Sequence, residues 1–167
     1  ETDPGEIAGH IGTPLTINAT KVLLLGSGEL GKQLAMSFQN LGLEVHAVDS
    51  YAGAPAHQVA QYSYVADIKD TGRILQLAQE IQPHFVVPEV ETVAVEALEE
   101  MEAHSDAIVV PSARACAMTQ DRQCVREVAE NIGLPVSAYR FASSVEELEE
   151  AVGELGFPCI IKPDVST

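Results

Sequence analysis

The chain has 167 residues, a formal net charge of −16 and 46% hydrophobic residues. That length buries one core and part of a second, and the composition is neither disordered nor low-complexity. No apolar run approaches the roughly 20 residues of a membrane span, and so acidic a surface repels nucleic-acid backbone and anionic lipid, which excludes both as main partners.

Residues 1–20 are weakly patterned and read as an arm or short cap. The opening Glu1-Thr2-Asp3-Pro4-Gly5-Glu6 has neither the basic nor the apolar region of a signal peptide. From residue 21 a strand–helix alternation begins. Lys21–Leu25 is an apolar run stopped by Gly26 and predicts a buried strand. Leu30, Leu34, Phe38 and Leu41 have helical spacing, which predicts a helix over Glu29–Leu41, stopped by Gly42. Glu44–Asp49 reads as a strand, Tyr51–His57 as a loop and Ser63–Val65 as a short strand. Asp70–Gln82 reads as a helix stopped by Pro83, followed by strand His84–Val87, an acidic helix over Thr92–Ala103 and strand Ala107–Val110. Short connections between alternating elements predict a parallel, doubly wound α/β sheet over residues 21–111.

Pro111 marks a change, and residues 112–167 read as a linker and a further domain. A helix is expected over Asp121–Asn131, ending at Gly133, then a strand over Val136–Phe141. Ser143 with Glu146 three residues on reads as a capping box that opens a helix to about Leu155. A turn at Gly156–Pro158 leads to an expected strand, Cys159–Lys162. The abrupt ending after Lys162-Pro163-Asp164-Val165-Ser166-Thr167 leads us to expect more chain beyond it.

Gly26-Ser27-Gly28-Glu29-Leu30-Gly31 is a GxGxxG between a strand and a helix. Its glycines permit a tight turn, and the helix start offers free N–H groups. Asp49 at the end of the next strand is where a dinucleotide-binding fold places its ribose-binding acid. Glu29, however, puts a carboxylate at the mouth of the loop, where it repels a pyrophosphate but accepts ribose hydroxyls. A dinucleotide, another sugar or phosphate ligand, and a purely structural turn all stay open. Pro88-Glu89-Val90-Glu91 follows the fourth strand and reaches the same sheet edge, either to hold hydroxyls or an amine, or as acids favoured by a helix dipole. Arg122 and Arg126 near a helix start read as an anion site or as solvated ion pairs. Lys162 reads as a phosphate ligand or an edge-strand Lys. The five histidines are scattered and incidental. Three cysteines without a CxxC pair favour a reducing, cytoplasmic setting and give no zinc site.

Gly26-Ser27-Gly28-Glu29-Leu30-Gly31-Lys32, the run Val45-His46-Ala47-Val48-Asp49-Ser50-Tyr51-Ala52-Gly53-Ala54-Pro55-Ala56, and Pro88-Glu89-Val90-Glu91 closely resemble the formate-dependent phosphoribosylglycinamide formyltransferases of the PurT type, in the ATP-grasp superfamily. Tyr139-Arg140-Phe141-Ala142 and Gly156-Phe157-Pro158-Cys159-Ile160-Ile161-Lys162-Pro163 extend the likeness, which runs from about Ile11 to the C-terminus. The related carboxyaminoimidazole ribonucleotide synthases usually carry Gln where Glu29 stands.

The resemblance implies a Rossmann-like pre-ATP-grasp domain followed by the start of an ATP-grasp domain. It implies an enzyme of purine biosynthesis that activates formate with ATP and passes the formyl group to glycinamide ribonucleotide. It implies that Glu29, Leu30 and Glu89 contact glycinamide ribonucleotide, and that Arg122, Lys162, Ser166 and Thr167 contact ATP. It further implies Mg2+ held by residues beyond 167, a cytoplasmic homodimer, and a chain that by itself is catalytically incomplete. Asp164 departs from the pattern, where an apolar residue is expected. A carboxyaminoimidazole ribonucleotide synthase, a non-catalytic nucleotide-binding module and an NAD-dependent oxidoreductase are the alternatives.

Overall fold

The computed structural model describes residues 11–163. Five strands form one parallel sheet: β1 (Lys21–Leu25), β2 (Glu44–Asp49), β3 (Tyr62–Val65), β4 (Phe85–Pro88) and β5 (Ile108–Val109). Their order is β3-β2-β1-β4-β5, and every neighbouring pair is parallel. The expected doubly wound sheet is therefore present. The chain runs outward from β1 to β3, then returns to the other side of β1 as β4. That reversal puts the switch point of the sheet at the carboxyl ends of β1 and β4, where sheets of this kind bind ligands.

The strand pleat sends alternate side chains to opposite faces. Leu23, Leu25, Val48 and Val86 pack with Ile74, Leu77 and Ile81 of α2 (Thr71–Ile81) and with Ala97, Leu98 and Met101 of α3 (Val95–His104). Leu24, Val45 and Ala47 meet Ala35 of α1 (Glu29–Asn40) and Ala56 of a 3-10 turn, Pro55–Gln58. The expected loop over Tyr51–His57 thus contains helical turn. Helix α2 starts where Asp70 accepts the Arg73 N–H at 3.0 Å. Helix α3 starts three residues later than expected, because Val93 and Ala94 turn back to bond Glu91 and Ile68 through their N–H groups.

The chain divides between Cys116 and Ala117. That division falls inside α4 (Ala113–Gln120), a stretch to which the sequence pattern assigns no element. In the second unit Asp121 caps α5 (Arg122–Asn131), accepting the N–H groups of Gln123 and Cys124. Helix α6 (Val145–Leu155) is capped by Ser144, not Ser143. Its hydroxyl accepts the Glu147 N–H at 3.1 Å, and the Glu147 carboxylate accepts the Ser143 N–H at 2.7 Å. The expected strands Val136–Phe141 and Cys159–Lys162 are not formed: among the described residues neither has a ladder partner. A strand exists only by pairing, so a run of strand-like composition without a neighbour stays irregular. No helix among the described residues is long and apolar enough to cross a membrane.

At the amino edge of the sheet lies a buried polar chain. Tyr64 Oη is 2.9 Å from His46 Nδ1, and His46 Nε2 is 2.9 Å from Glu44 Oε1. Glu44 Oε2 accepts the Leu15 N–H at 2.6 Å and so ties the segment before β1 to β2. Burial holds the Tyr64 hydroxyl above its usual range, so it donates, and burial holds His46 below its usual 6.5. The neutral ring therefore accepts at Nδ1 and donates from Nε2. Burial pushes Glu44 up, but the bonds from His46 and Leu15, with the charge of Lys21 and that of His46 once the ring is protonated, outweigh it and leave the carboxyl below 4.5.

Both groups bind protons more weakly in the fold than in the unfolded chain, so their stability is present at high pH and lost as pH falls. Thermal unfolding should move to lower temperature as pH drops below 6.5, through His46, and again below 4.5, through Glu44. Tyr64→Phe should cost about 1–2 kcal/mol at neutral pH by leaving Nδ1 without a donor. An unchanged urea midpoint for that variant would show the bond to be idle.

Candidate functional site

The turn after β1 is built by bonds to the end of β2. The Gly26 N–H donates to the Val48 carbonyl at 3.1 Å, and the buried Ser27 hydroxyl donates to the same carbonyl at 3.0 Å. The Ser27 N–H donates to Asp49 Oδ2 at 2.8 Å, and the Ser27 carbonyl accepts the Ala56 N–H at 2.9 Å. Asp49 Oδ1 accepts the Ser50 N–H at 2.7 Å. The sequence pattern offers Asp49 as a ribose ligand. The fold turns it on its own backbone, and two N–H groups of the glycine turn are already bonded, which weakens the dinucleotide alternative.

Two glycines are needed for close approach. Gly26 has φ +104°, and a Cβ there would lie 2.8 Å from Glu89 Oε2. A Cβ on Gly31 would lie 2.6 Å from the Gly26 carbonyl oxygen. Helix α1 therefore begins hard against the turn. Its first residues, Glu29 and Leu30, are exposed at the mouth.

Glu89 follows β4, its N–H donating to the Leu25 carbonyl at 2.8 Å. The structure thus brings Glu89 over the turn that carries Glu29 and Leu30, at the carboxyl ends of β1 and β4. Burial, then the charges of Glu91 and Asp49, raise the Glu89 carboxyl above its usual 4.5. A carboxylate among acids gains from a bound cation or a hydroxyl donor and repels phosphate.

The other candidates lie in the second unit. Arg122 is the first residue of α5, and its Nε donates to the Pro163 carbonyl at 2.9 Å, which joins the helix start to the segment carrying Lys162. Arg126 donates to the Arg122 carbonyl at 3.3 Å and stacks over Tyr139, 5.3 Å from the ring centroid. Asp164, Ser166 and Thr167 lie outside the described residues. Among the described residues no group of three His, Cys, Asp or Glu side chains is placed to hold a metal ion. Sequence reasoning missed the strapping role of Asp49 and Ser27. The signal is present in hindsight, as a small polar residue between two glycines and an acid at the end of the neighbouring strand.

The glycine contacts differ in a way stability measurements read. Gly28 has φ −68° and open space where a Cβ would stand. Gly28→Ala should cost at most about 1 kcal/mol, whereas Gly31→Ala, pressed against backbone, should cost about 2–3 kcal/mol despite the gain in helix propensity. Equal urea midpoints for the two variants would contradict the close approach.

Comparison with known proteins fits this geometry. The chain matches the ribonucleotide synthetase preATP-grasp domain over residues 19–120. It is 52% identical over 162 residues to a formate-dependent phosphoribosylglycinamide formyltransferase of Corynebacterium glutamicum, covering 96% of this chain and 40% of that protein. Among solved structures, a glycinamide-RNase-transformylase T from Mycobacterium tuberculosis superposes with a TM-score of 0.67 at 40% identity, over 71% of this chain and 37% of that one. An N5-carboxyaminoimidazole synthase from Aspergillus clavatus, solved with ADP and aminoimidazole ribonucleotide, gives 0.70 at 28% identity, over 84% and 37%. The chain thus spans about two fifths of the length of the relatives it matches, and through the domain over residues 19–120 it belongs to the ribonucleotide synthetase preATP-grasp family.

Proposed function

We propose that this chain is the N-terminal portion of a formate-dependent phosphoribosylglycinamide formyltransferase, with residues 21–111 as the pre-ATP-grasp domain and residues 112–167 as the start of the ATP-grasp domain. The observation that carries the proposal is the acidic mouth of the glycine turn: Glu29 and Glu89 at the switch point of the sheet, with Gly26 directly under the Glu89 carboxylate. Such a site favours an amine and sugar hydroxyls over a pyrophosphate. The relatives' names supply the matching substrate class.

In this reading a formate oxygen attacks the γ-phosphorus of ATP, giving formyl phosphate and ADP. The amine nitrogen of glycinamide ribonucleotide then attacks the formyl carbon. The C–O bond to phosphate breaks, phosphate leaves, and the nitrogen loses a proton, giving formylglycinamide ribonucleotide. Glu29, Leu30 and Glu89 hold the ribonucleotide, with Glu89 orienting the amine. Arg122 and Lys162, with Ser166 and Thr167, hold ATP and offset the charge that builds on the transferred phosphoryl group. Mg2+ would shield the ATP phosphates. The resemblance to the formyltransferases implies ligands for it beyond residue 167; among the described residues no group of three His, Cys, Asp or Glu side chains is placed to hold a metal ion. The same reading carries a cytoplasmic homodimer.

The nearest alternative is a carboxyaminoimidazole ribonucleotide synthase, a fold this chain also matches. Glu29, in place of the Gln usual there, argues for the formyltransferase. The full-length gene product should release phosphate from ATP with formate and glycinamide ribonucleotide, and not with bicarbonate and aminoimidazole ribonucleotide. The opposite preference overturns the reading. In that protein Glu29→Ala should raise KM for glycinamide ribonucleotide tenfold or more with KM for ATP within twofold, and Lys162→Ala should show the reverse. Equal effects on both substrates would remove the residue concerned from its assigned role.

A further inference from the structure

We propose that Asp49 is a positioning residue for this site: it touches no ligand, but straps the glycine turn under Glu89 and so sets the relation of Glu89 to Glu29 and Leu30. The inference rests on the reading of the site as the glycinamide ribonucleotide site.

The argument starts from where both carboxylate oxygens of Asp49 are used. Oδ2 accepts the Ser27 N–H at 2.8 Å, across the gap between β2 and the turn after β1. Oδ1 accepts the Ser50 N–H at 2.7 Å and the Ser50 hydroxyl at 3.3 Å. The Asp49 carbonyl accepts the Ala66 N–H at 2.9 Å, which anchors the residue's backbone on the β3 side. Asp49 is therefore held from one flank while its side chain grips the other. The gripped residue, Ser27, lies between Gly26, which packs under Glu89 Oε2, and Gly28, whose carbonyl accepts the Lys32 N–H at 2.9 Å in the first turn of α1. The charge-assisted bond from Ser27 to Asp49 joins the Gly26 and Ser27 bonds to the Val48 carbonyl and the Ala56 bond to the Ser27 carbonyl in holding the turn between the two walls of the mouth. It is the one among them made by a side chain of β2.

The Asp49 charge acts on Glu89 as well. Glu89 is raised by burial first, then by Glu91 on its own turn and by Asp49 at the end of β2; Glu29, on α1, is exposed to solvent. Removing the Asp49 charge lowers the Glu89 carboxyl and extends its ionised form to lower pH.

The test uses the full-length protein with Asp49→Ala and Asp49→Asn. Asp49→Ala should raise KM for glycinamide ribonucleotide at least tenfold with KM for ATP within twofold. Asp49→Asn keeps an oxygen for the Ser27 N–H and should recover most of that loss, while the acid limb of its pH profile for kcat/KM moves to lower pH. Amide exchange at Ser27 should quicken at least tenfold in Asp49→Ala and much less in Asp49→Asn. Unchanged KM values, equal changes for both substrates, or unchanged exchange would each overturn the proposal. If Asp49→Ala does not fold, Asp49→Asn decides: a pH profile and exchange rate both identical to the parent sink the idea. A parent protein that does not formylate glycinamide ribonucleotide overturns the reading of the site, and the strap is then judged on Ser27 exchange alone.

Discussion

Everything at the candidate site depends on the reversal of strand order between β1 and β4. Parallel neighbours point their carboxyl ends the same way, so the loops after β1, β2 and β4 emerge at one edge. Because the chain leaves β1 in one direction and returns on its other side, the loops after β1 and β4 have no crossover helix between them. A glycine turn and a Pro-Glu turn can then face each other at contact distance. The absence of a Cβ at Gly26 is what converts that adjacency into a seat for the Glu89 carboxylate. A side chain there would push the acid away, and the φ of +104° adds a backbone cost that only glycine escapes.

The electrostatics of this edge run against the use most often made of a glycine-rich turn. Such turns usually present N–H groups to phosphate. Here the Ser27 N–H is taken by Asp49 and the Gly26 N–H by Val48, and the approaching side chains are acids. The site is built to receive donors. An amine and ribose hydroxyls would satisfy it, and in the proposed reading the phosphate of the ribonucleotide finds its cations elsewhere. The acidic residues Glu29 and Glu89 lie in the first unit and the basic residues Arg122 and Lys162 in the second, so the proposed ribonucleotide and ATP roles divide as the chain does.

The parts legible in the sequence are those where local pattern and tertiary need agree. Val22–Leu25 is apolar throughout because both faces of a central parallel strand are covered, and the strand's boundaries, Lys21–Leu25, match those expected. The glycine motif is legible because turn, close approach and helix start all demand the same residues. The cap of α6 is off by one because two serines and two glutamates in register offer the same box twice; only the fold chooses Ser144 with Glu147. Val136–Phe141 and Cys159–Lys162 carry strand-like composition, but propensity cannot supply a partner, and the described residues provide none. Asp49 is the instructive case. Its position at the end of β2 is visible, yet whether its carboxylate faces a ligand or its own backbone depends on where Ser27 lies, which no local pattern encodes.

The two edges of the sheet show the same chemistry used for different ends. At the amino edge, Glu44 is bonded through His46 and Leu15, its carboxyl is held low, and the bonds close on protein groups at both oxygens. At the carboxyl edge, Glu89 lies in a half-buried position with acids about it, and its carboxyl is held high. A buried acid whose partners lie within the fold contributes to stability; one raised by burial and like charges gains from a nearby cation or hydrogen-bond donor. That contrast sets Glu44 in the frame and fits the proposed place of Glu89 at the binding surface. Asp49, at the other end of β2 from Glu44, links the two in the proposed reading, through its hydrogen bonds to the turn and its charge near Glu89.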